Sequence, residues 1–123
     1  MTLRAESQAA VSSIRARVAA GKRIVFVSGN FNILHPGHLR LLRFAAECGD
    51  YLVVGVLSDA ISPNAQLPEK TRLEGVQAIA WVNQAVVLHD APEAFVAALR
   101  PDVVVKGWEH ENGANPELAA VQA

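Results

Sequence analysis

The chain has 123 residues, with 11 Lys and Arg against 12 Asp and Glu and a net charge of -1 with histidine neutral. This length predicts one domain around one core, and the near balance of charge gives no sign of the broad basic face that duplex nucleic acid usually demands. A hydrophobic fraction of 51% with only 6% aromatics points to a core of Leu, Val, Ile and Ala. Cys48 is the only cysteine, which rules out an internal disulfide and fits a reducing compartment, so the cytoplasm is expected.

The N-terminal stretch MTLRAESQAAVSSIRARVAAGKR mixes charges with alanines, so neither a signal peptide nor a membrane span is expected. Leu3, Val11, Ile14 and Val18 recur close to helical multiples and Gly21 supplies a stop. A helical extension over 1–21 is therefore expected ahead of a domain over 22–123. RIVFVS (23–28) and YLVVGVL (51–57) are apolar throughout, as strands covered on both faces require. Between them HLRLLRFAAEC turns Leu39, Leu42, Ala45 and Ala46 inward and Arg40, Arg43 and Glu47 outward, with Gly49 as terminator.

After a loop at 62–68, EKTRLEGVQAIAWV predicts a helix with Leu73, Val76, Ile79 and Ala80 inward, followed by a strand at AVVL (85–88). APEAFVAALR is a helix opened near Pro92, and DVVVKG behind Pro101 is another buried strand. The last segment, NPELAAVQA, starts as a helix at Asn115 and Pro116 but is short. The alternation predicts an α/β fold, a Rossmann-like open parallel sheet with helices on both faces. Ligands on such sheets lie at the carboxyl ends of the strands, and residue 29 opens such an end.

The stretch GNFNILHPGH (29–38) sits there. A helix's first turn has unpartnered N–H groups and a partial positive charge, and it attracts phosphate. Pro36 suits the first helical position, Gly37 removes a side chain from the approach, and His35 and His38 reach one anion over the helix end. The dipole offers about 0.3–1 kcal/mol and each hydrogen bond to a charged group about 1.5–3 kcal/mol, so the histidines should matter more. A bound polyphosphate is expected to bring protons to the imidazoles. One cysteine and the distant His89 and His110 make a poor zinc set, and no metal site is expected. GKR (21–23) lacks the Ser or Thr of a P-loop, and G-x-G-x-x-G is absent. Cys48 reads as a packed thiol.

With its H-x-G-H following a strand and opening a helix, the segment GNFNILHPGHLRLLRFAAECGDYLVVGVLSD resembles the cytidylyltransferase-like nucleotidyltransferases. KRIVFVSGNFNILHPGH, TRLEGVQAIAWVNQAVVL and LRPDVVVKG are most similar to the adenylyltransferase domain that makes ADP-heptose, and more distantly to glycerol-3-phosphate cytidylyltransferase. The resemblance runs from about Lys22 to Gly107. It implies an enzyme that moves a nucleoside monophosphate from a nucleoside triphosphate, ATP ahead of CTP, to a sugar or polyol phosphate, usually with Mg²⁺. It matches His35 and His38 to the catalytic histidines, and Gly29, Asn30, Phe31, Gly37, Lys106 and Gly107 to the nucleotide site. Asn32, Asp59 and Arg72 fall at acceptor or accessory positions.

Asn32 and Asn83 stand where the family usually has Asp, and Glu109 stands near another. The usual lysine after Asp59 is absent, with Lys70 as a substitute, and the family's C-terminal Ser-Thr-Thr segment has no counterpart. These departures keep a second reading open, a catalytically degenerate nucleotide-binding or regulatory module of a larger protein. Arg72 has the alternatives of a solvated charge or a salt bridge in the neighbourhood of Glu74, Asp59 that of a cap on the next turn, and Trp108 that of an aromatic over the sheet edge rather than on a base. Family members commonly pair, and the stretch from Leu3 to Val18 is a candidate homodimer seam. Neither nucleic acid nor membrane is an expected partner.

Overall fold

The computed structural model describes residues 3–106 and 121–122. Helix α1 (Ala5–Arg17) precedes β1 (Ile24–Gly29), α2 (Pro36–Glu47), β2 (Tyr51–Leu57), α3 (Glu69–Gln77), β3 (Gln84–Leu88), α4 (Pro92–Leu99), β4 (Val103–Val105) and β5 (Val121–Gln122). The sheet runs β3-β2-β1-β4-β5. β1 pairs in parallel with β2 from Ile24↔Tyr51 to Gly29↔Val56, and with β4 through Val25↔Val103. β3 extends this parallel sheet along β2. The expected Rossmann-like parallel sheet and N-terminal helix are present.

β5 corrects the end of the chain. Val121 and Gln122 pair antiparallel with Val105 and Val104 instead of closing a helix. The free edge of β4 offers unpaired backbone groups that a strand satisfies, and a two-turn helix has little to hold it. The start of that expected helix, at Asn115 and Pro116, lies outside the described residues.

Alternation along strands buried on both faces gives two cores. Val25, Val27, Val54 and Val56 face α2 and α3, where Leu42, Ala45 and Val76 are buried. Ile24, Phe26 and Val53 face α1 and α4, meeting Ile14, Phe95 and Leu99. Ala10, Val11 and Val18 of the first helical segment pack on this second core. The face expected to form a dimer seam is thus occupied within the chain. Arg4 N–H donates to the Asp90 carboxylate, and the Arg15 guanidinium donates to the carbonyls of Leu99 and Arg100, so α1 and α4 run side by side in the same direction. No helix among the described residues is long and apolar enough to cross a membrane.

Two inward assignments and one helix stop change. Leu39 is exposed, because the buried stripe of α2 is centred on Leu42 and Ala45 with Leu41 beside it. Ala80 is exposed because α3 ends at Gln77. Gly49 does not terminate α2 by a left-handed turn, since the helix closes on Cys48 in right-handed conformation. A Cβ at Gly49 would stand 2.6 Å from Val25 Cγ2, so the glycine lets the chain pass close to β1.

The amino edge of the sheet is held by short polar side chains. The Asp50 carboxylate accepts from Arg23 N at 2.8 Å, Asp102 from Ile24 N at 2.7 Å, and Asn83 Oδ1 from Leu52 N at 2.7 Å. Asn83 therefore does with an amide oxygen what the two aspartates do with carboxylates, at the strand starts. Its difference from the family's Asp falls at the opposite end of the sheet from His35 and His38.

Candidate functional site

The carboxyl end of β1 leads into the site. After Gly29, buried in the strand, the chain turns at Phe31 with φ of 50° and only 3% exposure. A left-handed backbone is strained for a bulky aromatic, and such strain persists only where its surroundings hold it. Phe31 packs in the core below α2 and α3, with its ring centroid 5.6 Å from that of His38.

Pro36 opens α2, and His35 is its extended N-cap. His35 Nδ1 accepts the Gly37 N–H at 3.0 Å, while His38 Nδ1 accepts the His35 N–H at 3.2 Å. Two imidazoles thus perform the reciprocal capping that Ser and Glu side chains perform elsewhere. The ring centroids are 4.0 Å apart. A Cβ at Gly37 would lie 2.7 Å from His35 Cε1. The glycine is therefore needed by the His35 ring folded over it, a more specific reason than open access to the backbone.

These caps fix the tautomers. An Nδ1 that accepts carries no proton, so each neutral ring carries its proton on Nε2. Neither Nε2 has a protein partner among the described residues. Burial, and then the charge of His35, hold His38 below its ordinary imidazole range. Protonating either Nδ1 would set N–H against N–H. The expected arrival of protons with the ligand therefore opposes the capping, and neutral Nε2–H donors are the form this geometry favours.

The accessory positions are brought together, but not as free ligand groups. The Arg72 side chain is 0% exposed, against 52% for Asp59. Its Nε donates to Leu67 O at 2.8 Å, its Nη1 to Asn30 O at 2.8 Å and Leu57 O at 2.7 Å, and its Nη2 to Asp59 Oδ1 at 2.8 Å. The solvated-charge alternative for Arg72 is thereby excluded. Asp59 Oδ1 also accepts from Glu69 N at 3.0 Å, and Glu69 Oε1 accepts from Asp59 N at 2.8 Å. Asp59 thus caps the start of α3 ten residues on, whereas the turn beside it is held by Ser58, whose Oγ and carbonyl accept from Ile61 N. Asn32 Oδ1 accepts from Leu67 N at 2.9 Å, tying the turn after β1 to the loop before α3.

Lys106 is exposed immediately after β4, beside β1, on the same edge as the α2 N-terminus. Gly107, Trp108 and Glu109 lie outside the described residues. The Asn30 Oδ1 is buried without a partner among the described residues. Sequence patterning missed Glu69, whose bond to Asp59 spans ten residues; Pro68 before it was the one local signal that a helix starts there. Cys48 is partly buried, its Sγ donates to Phe44 O at 3.4 Å, and burial pushes its thiol up, as for a packed side chain. A cavity of about 290 Å³ lies between Arg17, Gln77 and Asn83 at the amino end of β3 and holds none of the expected site residues.

The described residues contain no group of three or more His, Cys, Asp and Glu that could hold a metal ion. The two Nε2–H groups are donors rather than ligands. The donor set therefore builds no protein cage for Mg²⁺, an ion that commonly keeps its waters and binds substrate phosphates.

Residues 26–119 match the model of the Cytidylyltransferase-like family. A protein of Wolinella succinogenes, Bifunctional protein HldE, is 39% identical over 100 residues, covering 74% of this chain and 21% of its own length. Bifunctional protein HldE of Vibrio cholerae is 31% identical over 112 residues, covering 84% of this chain and 23% of its own. The chain thus spans about a fifth of the length of these curated relatives. Among solved structures, the lipopolysaccharide core biosynthesis protein from Thermoplasma volcanium superposes with a TM-score of 0.68 at 29% identity, over 74% of this chain and 79% of that one. With a paired-histidine helix start at the head of a parallel sheet and a family match spanning most of its length, the chain belongs to the cytidylyltransferase-like family.

Proposed function

We propose that this site transfers a nucleotidyl group from a nucleoside triphosphate to a sugar or polyol phosphate. A phosphate oxygen of the acceptor bonds to the α-phosphorus, the bond from that phosphorus to the α,β-bridging oxygen breaks, and pyrophosphate leaves with the electron pair. Resemblance to the domain that makes ADP-heptose puts ATP ahead of CTP. The observation that carries the reading is the reciprocal imidazole cap, which leaves two Nε2–H donors at a helix N-terminus. In this reading His35 and His38 bind the triphosphate and stabilise charge that grows on its oxygens, while the backbone from Gly29 to Phe31 and Lys106 border the nucleotide. Orientation and charge stabilisation suffice for such a transfer, without a covalent protein intermediate. Mg²⁺ bound to the triphosphate would neutralise part of its charge.

Asn32 favours a second reading, a nucleotide-binding module without turnover. Its amide oxygen is taken by Leu67 N, and the nearby carboxylates of Asp59 and Glu69 are engaged on α3 and Arg72. Thermal shift with ATP and CTP, with and without Mg²⁺, and pyrophosphate release with a panel of sugar 1-phosphates separate the two. The enzyme reading expects a stabilisation of about 2.7 kcal/mol at a hundredfold excess over Kd, and turnover lost in His35→Ala and His38→Ala. Stabilisation without turnover supports the module, and turnover unchanged in both variants contradicts the assigned role of the histidines.

A further inference from the structure

We propose that Arg72 is a positioning residue, which sets the orientation of His38 through the strained turn at Asn30 and Phe31. The proposal deepens the reading of this site as a nucleotide site, and its geometry is independent of any ligand. Arg72 does not reach solvent, and four bonds engage four of its five N–H donors on three separate parts of the chain. One of its acceptors is Asn30 O, the carbonyl immediately before the left-handed Phe31. The same guanidinium nitrogen holds Leu57 O at the end of β2, so the two strand ends are locked to each other. Asp59 fixes the guanidinium and, through the Glu69 amide, the start of the helix that carries it.

The chain of contacts continues to the imidazole. With Asn30 held, Phe31 remains left-handed and its buried ring stays against His38. A lysine at 72 supplies one point charge in place of a fork that engages four acceptors, so the Asn30 carbonyl and the Phe31 ring would shift. His38 would then lose part of its cover. Its titration reads this directly, because burial is the main cause of its lowered pKa and His35 is the titrating group acting on it.

The test follows the His35, His38 and His89 imidazole resonances against pH, without nucleotide, in the wild type, Arg72→Lys and Asp59→Asn. Asp59→Asn keeps an oxygen for the Glu69 amide and removes the charge beside Arg72. The expected result is a His38 midpoint displaced upward in the folded Arg72→Lys protein, with His89 unmoved. Folded Arg72→Lys with an unmoved His38 overturns the proposal. Should Arg72→Lys fail to fold, Asp59→Asn decides in the same way. In an active protein Arg72→Lys should lower kcat by about 10- to 100-fold with KM within about twofold; a rise in KM at constant kcat contradicts positioning. If His38 moves while the wild type turns over no triphosphate, the proposed reaction falls and the positioning role stands.

Discussion

His38 concentrates the physical conflict of the site. Its Nδ1 caps the helix start only while unprotonated, and burial beside Phe31 disfavours the cation. Because its folded pKa lies below the unfolded value of about 6.5, the unfolded chain binds more protons between the two values. Stability should therefore be complete above that pH and be lost as pH falls through the folded pKa. Melting temperature measured from pH 7 to pH 5 should decline, and less steeply in His38→Asn, which keeps an acceptor near Nδ1; an equal decline in both would contradict the assigned cause. The position of both histidines was legible in the sequence, because Pro36 and Gly37 mark a helix start unambiguously. The reciprocal bonds between them were not, since the pattern H-P-G-H states proximity but not tautomer.

Among the elements, helix starts and stops were read unevenly. Pro36 and Pro92 both stand at first helical positions as expected. The end of α4 carried no signal: Arg100 closes it in the left-handed conformation with φ of 56°, where glycine is the usual choice. Left-handed backbone costs a non-glycine residue about 1–2 kcal/mol, against about 0.5–1 kcal/mol for the added chain freedom of glycine. Arg100→Gly should thus raise the melting temperature by a few degrees, with the Arg15 bond to the carbonyl at position 100 retained; a lower melting temperature would show that the Arg100 side chain contributes more than its backbone strain. Arg72 illustrates what local pattern cannot give. A charge on a helix reads as solvated, yet its four acceptors come from residues 5, 13, 15 and 42 positions away.

At the level of the molecule, the central strands β1 and β2 were legible because burial on both faces leaves no room for polar alternation. The partners on each face were less so. α1 reads as an appendage, but its Ile14 is 0% exposed in the core beneath α4. Ile14→Ala should cost about 2–5 kcal/mol by chemical denaturation, and a loss below about 0.5 kcal/mol would separate α1 from that core. β5 was missed because two residues carry too little pattern to specify an edge strand. The two helical layers and the amino-edge caps of Asp50, Asn83 and Asp102 hold the sheet, and the paired histidines stand at its opposite, carboxyl edge. There, in the proposed reading, neutral and mutually fixed imidazoles present two Nε2–H groups to a triphosphate. Long-range ¹H–¹⁵N correlation spectra of His35 and His38, recorded while a non-hydrolysable ATP analogue and Mg²⁺ are added, test it most directly. Both rings should be Nε2–H tautomers in the free protein, and both Nε2 resonances should be displaced on binding with Nδ1 still unprotonated. Nδ1–H tautomers, or spectra unchanged at saturating nucleotide, would contradict that reading.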